Sequence, residues 1–221
     1  MNSLGEAFTM KEKYLRRYTD LPALIYLLRE KKITLLDPRS WDDSNDSYYL
    51  SLYKDQKELK TILALCFTQK NETYHHWRIF APGSSGVCIT FKRAELIQIF
   101  KRYSSIRTGD VEYFNIRDLR DKLQNNELTA DQLPFIKRYV FEDEGEFRVI
   151  FASIKSDLTT KDIPIPLSCI PKISLSPWAN RNLLKHVKGV LMTIDGCEDI
   201  EIFRSTLIGN EEWKKIGEFA S

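Results

Sequence analysis

The most constraining feature of the chain is residues 61–68, Thr-Ile-Leu-Ala-Leu-Cys-Phe-Thr, which contain the longest apolar run, Ile62 to Phe67. That run is far too short to cross a bilayer, which takes about 20 apolar residues as a helix. It has the length of a strand and is continuous rather than alternating. Other strand-like segments flank it: KYLRRY (13–18), KITLL (32–36), GVCITF (86–91), GDVEYF (109–114), EFRVIFAS (146–153) and IEIFRSTL (200–207). Helical spacing separates several of them. Asp20 stands where it can cap a helix with Leu21, Leu24, Ile25 and Leu28 at helical intervals. Residues 48–59, KRAELIQIFKRY and a segment around 179–194 also read as helices, the last with Leu183, Leu184, Val187, Leu191 and Ile194 on one face. Asn210 caps a short closing helix. The prolines of IPIPLSCIPKISLSP fit only edge strands or strand ends. Strands and helices mix without strict βαβ alternation, and several strand pairs are close enough to be antiparallel. The expectation is an α+β fold. Its sheet is mixed, mostly antiparallel and flanked by helices. Residues 154–162 read as a loop between two partner strands, so the whole of 1–221 is expected to be a single domain.

Charge excludes some functions. The chain carries 33 Lys plus Arg against 31 Asp plus Glu, a formal net charge of +2. A protein coated in basic residues for nonspecific nucleic-acid binding is therefore not expected, although local patches survive the average. With 12% aromatic residues the composition lies far from that of disordered chains. The four cysteines, Cys66, Cys88, Cys169 and Cys197, have no CxxC pairing and no close His partner, so they read as buried free thiols rather than a zinc cage. The N-terminal MNSLGEAFTMKEKY shows no basic segment followed by an apolar run, which predicts no signal peptide. With no membrane-length segment, the expected location is the cytoplasm.

Four places could carry chemistry. The loop DPRSWDDSND (37–46) holds four acids and one large apolar residue, Trp41. It reads either as a solvated turn whose Asp and Asn cap the following helix, or as a loop presenting Trp41 as a platform for a flat ligand. In EDEGEFR (142–148), Glu144 and Glu146 are two apart at a strand entry and so fall on one face, as does Arg148. Arg148 can pair with Glu146 or clamp a ligand phosphate or carboxylate. His75 and His76 lie beside Trp77 on a helix that places Glu72, His75, His76, Ile79 and Phe80 together. Adjacent helical residues diverge by roughly 100°, which suits metal chelation poorly, so no metal site is expected there. One imidazole packs in the core and the other hydrogen-bonds at its rim, or one acts as a ligand donor. The first strand carries Tyr14, Arg16 and Tyr18 on one face and Leu15 and Arg17 on the other, which suggests that one arginine points into a cleft. PGSSG (82–86) lacks the lysine and spacing of a P-loop.

Taken in order, ITLLDPRSWDDSND, the CFT strand, WRIFA, GVCITF, EGEFR, ISLSPW and the closing RSTL resemble the bacterial family catalogued as domain of unknown function 2971. The resemblance runs over roughly residues 13–215. The chain departs from the family pattern with WDDSND in the acidic loop, with Phe80 where Tyr is usual and with His76 where Met is frequent. At the level of layout the segments are also similar to the ADP-ribosyltransferase fold, in which a split antiparallel sheet holds NAD in a cleft. That resemblance implies Glu146 and Glu144 as catalytic carboxylates, the second positioning the acceptor. It implies Tyr14, Arg16, Arg17, Trp41, His76 and Arg148 around a bound nucleotide, with NAD as the cofactor. It also implies a protein or nucleic-acid acceptor and a setting in phage defence or a toxin system. Two other functions fit the same residues: a noncatalytic nucleotide-sensing or interaction module, and a metal-dependent nuclease using acids such as Asp43 and Glu144.

Overall fold

The strands and helices of this chain form where hydrophobic periodicity, caps and turn residues agree. The computed structural model describes residues 13–219; the N-terminal stretch read for a signal peptide lies outside them up to residue 12. In chain order the elements are β1 (Tyr14–Asp20), α1 (Leu21–Glu30), β2 (Lys32–Leu36), α2 (Ser44–Gln56), β3 (Thr61–Thr68), α3 (Tyr74–Phe80) and β4 (Gly86–Lys92). They continue as α4 (Arg93–Phe100), β5 (Ile106–Asp110), β6 (Glu112–Phe114), α5 (Ile116–Gln124), β7 (Ile136–Arg138) and β8 (Glu146–Ser153). The last are β9 (Thr160–Pro164), β10 (Lys172–Leu175), α6 (Arg181–Met192), β11 (Glu201–Arg204) and α7 (Glu211–Glu218). The fold is α+β, with mostly antiparallel pairing.

Two compact units share the chain. Among the described residues, 13–15, 32–69 and 93–165 make the first, and 16–31, 70–92 and 166–219 make the second. In the first unit the apolar run becomes β3, a central strand. It pairs antiparallel with β8 over its full length, from Thr61 opposite Ser153 to Thr68 opposite Glu146, and with β2 on its other side. β9 pairs with β2 and β5 with β8, giving the order β9-β2-β3-β8-β5. A central strand covered on both faces needs apolar side chains throughout, and only Cys66 of β3 is not fully buried. Pro164 sits at the end of the edge strand β9, a position where proline is tolerated.

Two expectations are corrected here. The strands flanking residues 154–159 are not partners: β8 already has β3 and β5 on its two edges, so β9 pairs with β2 instead. GDVEYF is not one strand either. Val111 makes the last bond to β8, its N–H donating to the Glu146 carbonyl, and the Glu146 N–H then turns to the Tyr113 hydroxyl. β6 then pairs with β7 as a separate short parallel ribbon.

In the second unit β1 neighbours β4, β4 is antiparallel to β10 and β10 is parallel to β11. Asp20 caps α1 by accepting from the Ala23 N–H at 2.9 Å. Lys31, at φ 53°, ends that helix in the left-handed region. α6 keeps most of its expected face, with Leu184 and Val187 half-buried and Leu191 and Ile194 buried, but Leu183 is 62% exposed. Cys88, Cys169 and Cys197 are buried and all four cysteines are free thiols. Among the described residues no helix is long and apolar enough to cross a membrane.

The close approach that shapes the turn into β4 is testable. A Cβ built on Gly86 would lie 2.2 Å from the Ala81 carbonyl oxygen at the end of α3, whereas nothing lies within 4 Å of one on Gly189 in α6. Gly86→Ala should destabilise the protein by about 1–3 kcal/mol. Gly189→Ala should stabilise it by about 0.5–1 kcal/mol. Urea midpoints of the two variants check both signs.

Candidate functional site

The acidic loop is organised by its own carboxylates. Asp37 caps a short 3₁₀ turn by accepting from the Arg39 N–H at 2.9 Å. Asp43 is the N-cap of α2, accepting from the N–H groups of Asn45 and Asp46. This is the capping expected of Asp before a helix. Asp46 differs: in the first turn of α2 it turns inward and is 3% exposed.

What it meets is Arg148. The side chains of Glu146 and Arg148 point to one face of β8 because they are two residues apart. The guanidinium donates from Nε to Glu146 Oε1 at 2.8 Å and from Nη2 to Glu146 Oε2 at 2.7 Å. It grips Asp46 at the same time, Nη1 to Oδ1 and Nη2 to Oδ2, both at 2.8 Å. A fifth bond runs from Nη1 to the Pro134 carbonyl at 3.0 Å. An arginine has five N–H donors, so Arg148, which is fully buried, has none left for a ligand. The Trp41 ring lies 5.2 Å from the guanidinium and packs against the core of this unit. Trp41 is thereby tucked inward rather than held out as a platform.

Glu144 reaches the cluster by another route. The segment Tyr139–Glu144 is a 3₁₀ turn that ends at Gly145 with φ 50°, so the strand starts only at Glu146. This corrects the reading of Glu144 and Glu146 as one strand face. Glu144 accepts from Lys137 Nζ at 2.6 Å. The same ammonium stands 3.6 Å from both Asp46 Oδ2 and Glu146 Oε2.

Three carboxylates thus share two cations, and their proton affinities separate. Burial pushes the Glu146 carboxyl upward, but the Arg148 charge and its hydrogen bonds, with Lys137 adding to them, overcome this and hold it at about 2. Burial raises Asp46 against the pull of Arg148, and raises Glu144 against that of Lys137. Glu146 stays ionised, and the other two carry the strain of the surplus charge.

A cleft of about 620 Å³ opens beside this cluster, inside the first unit. Its walls are the start of α2, with Asp43, Asp46, Tyr48 and Tyr49; the inner side of α5, with Ile116, Leu119 and Leu123; and β7 with its neighbours. Lys137 and Asp46 belong both to the cluster and to the cleft wall. Phe114 adds a ring, and Arg120 and Arg138 add exposed cations. One oxygen of Asp43, Oδ2, is buried without a hydrogen-bond partner. The sequence reading missed Asp46, Lys137, Tyr48 and Arg138. The only local signal was the Tyr pair directly after the acidic loop.

The structure brings Trp41, Glu144, Glu146 and Arg148 together in the first unit, to which Tyr14 also belongs. Arg16, Arg17 and His76 belong to the second unit. There Arg16 donates to the Lys70 carbonyl at 3.0 Å and to Asn71 Oδ1 at 2.9 Å. His76 is buried, bonded through Nδ1 to Thr73 Oγ1, and stacked on Tyr18 with ring centroids 5.5 Å apart. His75 is exposed, so one imidazole is in the core and the other outside it. The buried side of α3 is His76 and Trp77, not the face expected, since Ile79 and Phe80 are 52% and 41% exposed. Among the described residues no group of three or more His, Cys, Asp or Glu could hold a metal ion.

Residues 76–149 match the family described as "Protein of unknown function (DUF2971)". The WRIFA, GVCITF and EGEFR motifs lie inside the matched stretch, and the acidic loop and RSTL lie outside it. No curated protein matches the chain. Among solved structures, the chain is similar to Thermus sp. 2.9 DarT in complex with ADP-ribosylated ssDNA. That likeness has 9% identity and a TM-score of 0.45, covering 88% of this chain and 95% of that one. It is also similar to the same DarT in complex with carba-NAD+, at 10% identity and a TM-score of 0.41, covering 86% and 94%.

The cluster makes sharp predictions. Arg148→Met leaves three buried carboxylates facing Lys137 alone and should cost about 3–5 kcal/mol. Replacing Asp46, Glu146 and Arg148 together by apolar residues of similar size should recover most of that loss. For Glu146 the folded carboxyl is depressed, so its stabilising contribution is complete above the unfolded value of about 4.3 and is lost as pH falls towards 2. The stability difference between the wild type and Glu146→Gln should therefore be full at pH 7 and shrink below pH 4. Urea titrations across that window measure it.

Proposed function

We propose that the protein is an ADP-ribosyltransferase-like enzyme that takes NAD in the cleft of the first unit and transfers ADP-ribose to a protein or nucleic-acid acceptor. The observation that carries this reading is the cleft's chemistry. Its volume of about 620 Å³ lies within the range of ligand pockets, about 300–1,000 Å³. Tyr48 and Phe114 offer ring faces, and Arg120, Lys137 and Arg138 offer cations. Asp43 Oδ2 is a buried acceptor lacking a donor. NAD has a counterpart for each: flat bases, an anionic pyrophosphate and ribose hydroxyls. The Glu-x-Glu segment stands beside the same wall, bonded to Lys137.

In this reading the bond between nicotinamide and the ribose carbon breaks, its electron pair leaving on nicotinamide. Positive charge develops at that carbon, and a carboxylate already held ionised opposes it without reorganising. Glu146 has that property. Lys137 swings from the carboxylates towards the pyrophosphate, which takes its hydrogen bond off Glu144. The acceptor's oxygen or nitrogen then bonds to the carbon and gives its proton to Glu144, whose raised proton affinity suits a base. Tyr14, Arg16, Arg17 and His76, which the resemblance offered for the nucleotide, are not part of this cleft's wall.

A noncatalytic nucleotide-binding module is the second reading. It is favoured by one observation: both Glu146 oxygens and every Arg148 N–H are engaged within the protein.

Calorimetric titration with NAD tests both. NAD should bind, and Tyr48→Ala and Arg138→Ala, which alter exposed side chains of the wall, should weaken it about tenfold each, roughly 1.4 kcal/mol. Nicotinamide should be released, Glu146→Gln should stop the release, and Glu144→Gln should stop transfer to the acceptor. Binding without release supports the module, and no binding overturns both readings.

A further inference from the structure

A second surface, wholly within the second unit, has a chemistry that the cleft does not explain. No Asp or Glu occurs between Asp162 and Asp195, while Lys172, Arg181, Lys185 and Lys188 do. Three of these cations lie on α6. At roughly 100° per residue, Arg181, Lys185 and Lys188 fall within an arc of about 60° and rise over about 10 Å. All three are exposed, and none makes an ion pair among the described residues. Arg181 is near enough to Glu211 to lower that carboxyl slightly, after the larger effect of Lys214.

Directly before α6 stands a stacked group. The Arg78 guanidinium carbon lies 4.4 Å from the centroid of the Trp178 ring and 5.2 Å from that of Tyr74. The two rings meet edge to face at 6.0 Å, and Arg78 Nε donates to the Tyr74 hydroxyl at 2.8 Å. Tyr74 is 51% exposed, and Arg78 is exposed too. The turn that carries Trp178 is firmly held. Its N–H donates to Ser176 Oγ at 3.1 Å, and Ser176 Oγ donates to the Gly83 carbonyl at 2.7 Å. Arg204 donates to the carbonyls of Pro177 and Ala179. Behind Trp178 lies the fully buried Trp77, its Nε1 bonded to Glu72 at 2.6 Å. Trp178 is three residues from Arg181, so at most about 10 Å of chain separates the stack from the first cation.

We infer that this surface binds single-stranded nucleic acid, with bases stacking on Tyr74 and Arg78 and phosphates running along Arg181, Lys185 and Lys188. Aromatic rings and guanidinium planes are stacking platforms for unpaired bases, and a row of cations tracks the backbone. An anionic membrane is the less suitable partner. A helix lying on lipid inserts an apolar face flanked by cations. On α6 the exposed Leu183 and Val190 lie roughly 180° from the cations, with Leu191 on the buried side between them.

The test uses the full chain and a fluorescein-labelled 12-nucleotide oligodeoxythymidylate, followed by anisotropy. Binding should weaken at least tenfold in the Lys185→Glu/Lys188→Glu double variant. The slope of log affinity against log salt should fall by about 1.4, since each neutralised phosphate of a single strand contributes about 0.7. Tyr74→Ala should weaken binding about 5- to 150-fold, and Tyr74→Phe should retain it, which separates ring stacking from the Arg78 hydrogen bond to the hydroxyl. Unchanged thermal melting of the exposed-site variants shows that they fold. Unchanged NAD binding in the double variant keeps this surface distinct from the cleft, and oligonucleotide binding stands or falls whether or not NAD binds. Three outcomes overturn the inference: equal affinity of the charge-reversed protein, equal or tighter binding of a 12-base-pair duplex, or binding to phosphatidylserine vesicles without binding to the oligonucleotide.

Discussion

The first unit depends on one buried cation. Arg148 has no exposed surface, and an unpaired guanidinium in that position would cost several kcal/mol. Its five N–H groups therefore draw in groups from three parts of the chain: Glu146 on its own strand, Asp46 at the start of α2, and the Pro134 carbonyl. Each attachment fixes an element. α2 must begin where Asp46 can reach the guanidinium, and the 3₁₀ segment Ala130–Phe135 must pass where its carbonyl meets Nη1. Such a network adds little net stability over apolar packing, because desolvation offsets attraction. It does specify geometry, since few other arrangements satisfy all five donors.

The same constraint sets the electrostatics of the cleft. Arg148 is saturated by two carboxylates, so Lys137 is left to serve the third and to stand at the wall. The charge in the cluster is then uneven, with Glu146 held ionised while burial works against Asp46 and Glu144. Glu146 is thus an ionised carboxylate beside the Lys137 ammonium. The cleft joins that ammonium to rings and to the unpaired oxygen of Asp43. In the second unit the aromatic residues do different work. Trp77 is fixed from inside by Glu72, and Trp178 by a turn pinned through Ser176 and Arg204, so Arg78 and Tyr74 are displayed on a rigid base.

Much of the architecture was legible. Continuous apolarity in residues 61–68 marks a central strand because both of its faces meet the core. Asp20 and Asn210 were legible as caps because short polar side chains satisfy helix N–H groups locally. Proline in 163–166 pointed to an edge for a similar local reason. The pairing of β9 with β2 was not legible, because strand partners depend on which edges remain unfilled. The true buried face of α3 was missed because helical periodicity offers two overlapping faces, and packing on Tyr18 and Trp178 selected His76 and Trp77.

For the site, the sequence by itself determined the ingredients: an acidic loop holding Trp41, a Glu-x-Glu-x-Arg strand entry, and the WRIFA and GVCITF segments within the matched residues 76–149. It also determined that Arg148 could pair with Glu146, because residues two apart on a strand share a face. Only the tertiary structure decided that Arg148 would be consumed internally and that Asp46, 102 residues away, would complete its pairing. It likewise turned Trp41 inward and placed Lys137 between the carboxylates and the cleft. Alternation and capping act within a few residues and can be read along the chain. The partner of a buried charge is set by desolvation, which no local pattern reports, because it depends on what the finished fold leaves within about 3 Å.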